Sequence, residues 1–423
     1  MSWVTKDFVK ASFFKRAKMP KRIIGVMSIL LLSLMYGFLF PPHLQAEPVK
    51  LAVLLPFGGV LRDNGVAARN GFLLGLKKEA SEAKVNLESW VTVDFLDSRA
   101  DAEHSLELAK KVIGEGAKAI LGIVSSDEAL ALKDYVLDEA QVPFIVFAAA
   151  GTAELRNRHP LYLRTSFSNQ QASIGLALWI KEHPVVPITK PRWACIHADF
   201  AAGPDFCNGF ALIYKQIGEE IGRIPVPFKS LEKKPQLVQL SKLQPDFAFA
   251  FFTGAEAAVF VQDYYRFKIH EKIPLLIPGF GMTGQLLQFY EKTLEQYGTA
   301  IGILSALHWA VELENQENQT FVALYQEEYH TPPIVFAMSA YDAGRLLVKA
   351  LTQLEGRWNG VQLVQKMKTL PLSSPRDGKL LQFDTHGDPI NSAYIFRTER
   401  HGDRLVNTLI GQVPSINIDD YLK

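Results

Sequence analysis

Cysteine is nearly absent from this chain of 423 residues, with only Cys195 and Cys207 present and no histidine at ligand spacing beside them, which excludes a zinc site. The two stand twelve positions apart, one in a strand segment and one in the helix after it. They pair in an oxidising compartment if their Cβ atoms face each other; two buried free thiols are the alternative. Low-complexity tracts are absent, apolar residues make up 48% and charged residues 21%, so there is material for buried cores and no basis for a long disordered tail. No G-x-S-x-G elbow, H-E-x-x-H pair or P-loop occurs, and the ten histidines are scattered. Neither sign of charge prevails overall, at 45 Lys and Arg against 44 Asp and Glu.

That balance hides an uneven distribution. The first 46 residues hold seven Lys or Arg and one Asp, while the remainder carries 38 against 43, and an acidic body is not a nucleic-acid binder. Ile23 to Phe40 is an uncharged run of 18 residues behind Lys21 and Arg22, closed by Pro41 and Pro42. Basic, then apolar, then Pro-broken is the order of an export signal, and Leu44-Gln45-Ala46 ends on a small residue suited to cleavage. The run is also just long enough to span a membrane, so cleavage after Ala46 and a retained N-terminal anchor both stand. No cysteine lies near the junction, which argues against a lipid anchor, and Met19 is expected to be the true start, since the signal already works from there. The folded part is expected to work in the periplasm.

About 377 residues remain after Ala46, more than one hydrophobic core usually serves. Val49 to Leu55, Val91 to Leu96, Ala119 to Val124 and Pro143 to Ala149 are short continuous apolar runs, each followed by a helical segment; such runs belong to parallel sheets covered on both faces. After a polar joint at Ser166 to Gln171 the pattern restarts with Trp193 to Ile196, Ile224 to Phe228, Phe247 to Phe252 and Leu275 to Ile277. A third portion reads as a strand at Ile301 to Ala310, a long helix at Ile334 to Leu354, and strands at Leu380 to Phe383 and Ala393 to Arg397. It is expected to return first to one lobe and then to the other. The boundaries are 1–46 for the leader, 47–167 and 303–372 for the first lobe, and 168–302 and 373–423 for the second. The fold class is α/β, with two Rossmann-like lobes, mostly parallel sheets and three crossovers that form a hinge; solutes bind such sheets at the C-terminal strand edges.

Val49-Lys-Leu-Ala-Val-Leu-Leu-Pro56 with Gly59 and Gly65, then Leu121-Gly-Ile-Val-Ser-Ser126, Val142-Pro-Phe-Ile145, Tyr162-Leu-Arg-Thr165, Pro332-Pro333 and Ala340-Tyr-Asp-Ala343 form an ordered set. It resembles the leucine/isoleucine/valine-binding family, the type I periplasmic solute-binding proteins of ABC importers, from Val49 to about Arg400. The resemblance implies a cleft that closes on a small solute, a membrane permease as partner, a monomer, and neither cofactor nor catalysis.

It also points to site residues. Ser125 and Glu128 stand in the S-x-x-E arrangement of a capping box, while Ser126 matches the family's serine that contacts the solute carboxylate. Ala148-Ala-Ala-Gly-Thr152 matches the family's second ligand loop, through Ala150, Gly151 and Thr152. Asn64 replaces a bulky apolar residue, and Ala202 and Ala255 stand near pocket tyrosines of the family, which implies a roomier, less aliphatic pocket. No acid lies between Lys272 and Glu291, where amino-acid binders hold the α-ammonium. A buried ammonium without a countercharge costs several kcal/mol, so an ordinary α-amino acid in the usual pose is disfavoured. Phe280 offers an apolar face there instead, and Phe336 is a second candidate at the cleft rim. Gly279-Phe-Gly-Met-Thr-Gly284 formally satisfies G-x-G-x-x-G, yet it sits late in the second repeat and no acid follows at ribose distance, so no dinucleotide site is expected. Asp342 beside Tyr341 reads as structural, and the sequon Asn318-Gln-Thr320 carries no weight in a bacterial setting. The expected function is an extracytoplasmic receptor for a small polar or acidic solute. The alternative is the same two-lobed fold kept as a sensory or protein-interaction module with its pocket unused.

Overall fold

Short apolar runs alternating with amphipathic helices can hide both strand faces and satisfy the backbone together only as a parallel sheet layered between helices. The computed structural model describes residues 47–156 and 158–422, and this solution occurs in it twice. The leader, with the cut expected after Ala46, lies outside the described residues, and no described helix is long and apolar enough to cross a membrane.

The first sheet runs β2 (Val91–Asp97), β1 (Val49–Leu55), β3 (Ile120–Gly122), β4 (Phe144–Val146) and β5 (Tyr162–Arg164), every neighbouring pair parallel. Leu51 to Leu55 are wholly buried, whereas the edge strand β2 is half-covered. The second sheet holds seven strands in the order β12-β11-β10-β9-β8-β6-β7. Its parallel part is β6 (Arg192–Asp199), β7 (Glu219–Pro227), β8 (Phe247–Phe251), β9 (Leu275–Pro278) and β10 (Leu304–Leu307). An antiparallel hairpin of β11 (Asn391–His401) and β12 (Arg404–Ile416) extends it beyond β10.

The chain passes between the sheets three times: after β5, after β10, and ahead of β11. Two expectations need correction. The strand near Ile301 was expected to return with the first lobe, but Leu304–Leu307 pairs with β9 and β11, so the chain comes back to the first sheet only with the helix Val335–Gln353. Leu380 to Phe383 is not a strand; Leu380 and Phe383 each form one isolated bridge, and Leu380 is 56% exposed. An apolar run with nothing to cover it does not need a sheet.

The returning helix is seated on Arg62–Ala83 by close backbone approach. A Cβ at Gly71 would stand 2.0 Å from the Ala337 carbonyl oxygen, and one at Gly75 2.3 Å from that of Tyr341. Buried arginines fasten the passages. Arg376 donates to the carbonyls of Thr165 and Ser166 in the first passage and pairs with Asp342 at 3.3 Å, which gives Asp342 its structural role. Arg164 and Arg156 both bind Asp388, at 2.8 and 2.7 Å. A fully desolvated guanidinium that lost its carboxylate would be costly, so these pairs hold the hinge in one arrangement. Cys195 in β6 and Cys207 in the helix Ala202–Tyr214 are bonded, with Cα atoms 6.1 Å apart, which decides between the two alternatives.

Candidate functional site

The C-terminal ends of strands from both sheets meet at one cavity, where helix N-termini and exposed loop backbone collect in folds of this kind. The first sheet supplies Asn64 from the first turn of Arg62–Ala83, Ser125 and Ser126 after β3, and Ala150 after β4. The second supplies Phe200 and Ala202 after β6, Thr253 after β8 and Phe280 after β9, while Phe336 comes from the returning helix. Phe167 and Asn169, from the first passage, lie between them.

Six phenylalanines dominate the wall. Phe167 and Phe280 stack with ring centroids 4.4 Å apart, Phe206 and Phe251 at 3.8 Å, and Phe336 stands 5.9 Å from Phe280. No residue of the wall carries a charge. The residual space is about 30 Å³, room for water alone, since one molecule needs roughly 10–15 Å³. The expectation of a roomier pocket is therefore corrected: Ala202 does leave a gap in the wall, but rings from four other segments fill it, and Ala255 points to solvent.

Three polar atoms of the wall are unusual in lacking partners. Asn64 Nδ2, Ser125 Oγ and Thr253 Oγ1 are buried without a hydrogen bond. Ser125 and Glu128 take up the capping-box arrangement, and its arm with good geometry is Ser125 N–H donating to the Glu128 carboxylate at 3.1 Å. The other Glu128 oxygen accepts from the Ser105 hydroxyl at 2.8 Å. Desolvation pushes the Glu128 carboxyl up to about 7, against the hydrogen bonds that favour its ionised form. Buried polar atoms normally find partners, so three unpartnered ones around a single space are the strongest local mark of a binding site.

Of the residues expected at the site, Asn64, Ser125, Ser126, Ala150, Phe280 and Phe336 share the wall. Gly151 and Thr152 do not. The Gly151 carbonyl accepts from Asn169 N–H at 2.8 Å, and the Thr152 carbonyl faces the buried Arg164 guanidinium at 3.4 Å. The turn is pulled from the cavity by these bonds and by Asp205, whose carboxylate accepts from Ala153 N–H at 2.8 Å and Asn169 Nδ2 at 3.2 Å. Burial raises the Asp205 carboxyl to about 6. Phe167, Asn169, Phe200, Phe206, Phe251 and Thr253 were not foreseen. Apart from Phe206, which lies inside the helix Ala202–Tyr214, they share a signal of position, just beyond or at the C-terminal end of a strand or within the interlobe joint.

The two sides also touch directly. Asp127 accepts from Ala201 N–H at 3.0 Å, Lys229 donates to the Ala100 carbonyl at 3.4 Å, and Gly254, at φ +56°, lets the Val60 carbonyl oxygen come within 2.4 Å of where a Cβ would stand. The cleft is shut.

Two mostly parallel sheets joined by three passages around a phenylalanine-walled cleft define a two-lobed ligand-binding protein. Residues 48–403 match the family model described as periplasmic binding protein, and the chain belongs to that family, whose members are solute-binding receptors. Among curated proteins it is similar to Leu/Ile/Val-binding protein homolog 6 of Brucella melitensis, 25% identical over 339 residues, 78% of this chain and 83% of that one. Among solved structures it is similar to an ABC transporter solute-binding protein from R. palustris in complex with benzoate, with TM-score 0.75, 26% identity and coverage of 87% of this chain and 97% of the other. A second, from Rhodopseudomonas palustris BisB5 in complex with 3,4-dihydroxybenzoic acid, has TM-score 0.74, 25% identity and coverage of 88% and 98%.

Proposed function

We propose that this chain is the extracytoplasmic receptor of an ABC-type importer and that its solute is a small aromatic carboxylate. One observation carries the reading: six phenylalanines enclose a space without a charged residue, in whose wall three neutral polar atoms, Asn64 Nδ2, Ser125 Oγ and Thr253 Oγ1, have no hydrogen-bond partner. Stacked and edge-on rings suit a planar apolar body, and neutral hydrogen-bonding groups suit its acceptors. The wall offers no countercharge for an α-ammonium, which weighs against free amino acids. The benzoate and dihydroxybenzoate named for the similar structures agree with this choice. Contacts to both lobes would favour the closed state, the closed receptor would dock on its permease as a monomer, and the basic and apolar leader would direct export.

The shut cleft, with about 30 Å³ left inside, also favours a second reading, in which the fold serves as a sensory or protein-interaction module and takes no solute. Thermal unfolding of exported protein with benzoate, 4-hydroxybenzoate, 3,4-dihydroxybenzoate and leucine separates the two. An acid at a hundred times its Kd stabilises by about 2.7 kcal/mol and visibly raises Tm. Leucine should leave Tm in place. If no aromatic acid moves it either, the receptor reading is lost and the module reading gains.

A further inference from the structure

Two helix N-termini face the cavity from opposite lobes, and they are electrostatically unequal. Ser126–Asp134 begins at Ser125 and carries Asp127 and Glu128 in its first turn. Neither acid has a salt-bridge partner among the described residues; Asp127 holds Ala201 N–H, and Glu128 is spent on Ser125 N–H and the Ser105 hydroxyl. An anion placed there would meet the Asp127 carboxylate, which opposes the attraction of the helix end.

Gly254–Arg266 begins at Thr253. Its first-turn acid, Glu256, is wholly buried and balanced by the equally buried Lys233, 3.3 Å away, whose ammonium also donates to the Ser230 carbonyl at 2.5 Å. The first amides of the 13-residue helix have no intrahelical acceptor, and the Thr253 hydroxyl, on a residue only 8% exposed, is unpartnered in the cavity wall. This end keeps its dipole free of uncompensated negative charge.

Resting on the aromatic-carboxylate reading, we infer that the solute carboxylate seats on the Thr253 hydroxyl and the first amides of Gly254–Arg266, in the second lobe. Ser125 Oγ and Asn64 Nδ2, in the first lobe, take an uncharged group at the far end of the ring. The preferred solute is thus a hydroxy-substituted aromatic monocarboxylate. It lies across the cleft in the direction opposite to the one the family resemblance implies, with the serine pair binding a hydroxyl instead of the carboxylate. The first lobe suits that role, because a ring hydroxyl both donates and accepts, and the acids behind Ser125 do not repel it.

The test is calorimetric titration of exported protein with benzoate and 4-hydroxybenzoate, for wild type, Thr253→Val, Thr253→Ser and Ser125→Ala. Thr253→Val should weaken both acids by about tenfold or more, as loss of a hydrogen bond to a charged group does. Thr253→Ser should keep binding near wild type, which excludes a mere packing defect. Ser125→Ala should leave benzoate within about twofold and weaken 4-hydroxybenzoate about fivefold, towards the affinity of benzoate. The opposite pattern, with Ser125→Ala abolishing benzoate and Thr253→Val sparing it, overturns the orientation and leaves the aromatic-acid reading intact. If wild type binds neither acid, that reading falls and the orientation with it.

Discussion

Gly254 is the position at which one methyl group tests whether solute binding and closure are the same event. A Cβ there would lie 2.4 Å from the Val60 carbonyl oxygen of the opposite lobe, well inside van der Waals contact, and the oxygen must retreat by about 1 Å. Packed structures resist such insertions by roughly 1–3 kcal/mol. The clash exists only when the lobes meet, so Gly254→Ala should raise the free energy of the closed state by about that amount and weaken the aromatic acid some 5- to 150-fold. A second effect is separable. At φ +56° an alanine pays about 1–2 kcal/mol of left-handed strain in open and closed forms alike, which lowers Tm without touching affinity. Calorimetric titration reads the first and thermal unfolding of the solute-free protein the second, while small-angle scattering with and without solute reports closure. A variant that loses Tm yet binds within twofold of wild type would show that closure onto Val60 contributes nothing to capture.

Three further outcomes follow from single contacts. Glu128, held up to about 7 from an ordinary 4.5, keeps its proton in the folded chain to higher pH than in the unfolded chain. Its stabilising contribution is therefore full below pH 4.5 and lost as pH rises through 7, and Glu128→Gln should flatten the Tm profile across that window; an unchanged slope would place the titrating group elsewhere. Removing the Cys195–Cys207 bond as Cys195→Ala with Cys207→Ala should cost about 2–3 kcal/mol for so short a loop, seen as a lower denaturation midpoint, and a midpoint equal to wild type would show the bond adds no stability. Asp127→Ala deletes the acceptor of Ala201 N–H and should weaken solute about fivefold through loss of one interlobe hydrogen bond, with Tm of the free protein little changed; undiminished affinity would remove Asp127 from closure.

Much of the fold was legible because buried parallel strands announce themselves as unbroken apolar runs, and β1, β6, β8 and β9 appear where those runs are. The strands that escaped notice are those whose surroundings, not composition, make them strands. β5 is three residues long, and β12 is a long edge strand with half-exposed alternation. β10 reads as a strand, but nothing in Leu304–Leu307 itself states that its open edge is that of β9. In the site, Ser125, Ser126, Asn64, Ala150, Phe280 and Phe336 could be placed from local pattern and family likeness. Thr152 could not, because its loop is turned by Asp205 and Arg164, residues remote in sequence.

Taken alone, the order of residues determined two α/β repeats and a segment, Lys272 to Glu291, without the acid that would hold an ammonium. These are properties of composition and period, which act over a few neighbouring residues. Only the tertiary structure decided that six phenylalanines from distant segments crowd into one wall, and that Ser125 from one lobe and Thr253 from the other line it with unsatisfied hydroxyls. It also decided that Lys233 cancels Glu256 at one helix end while Asp127 stands without a salt bridge at the other. Charge compensation and ring packing depend on distance in space, and the closing of the lobes brings together groups more than a hundred positions apart in the chain.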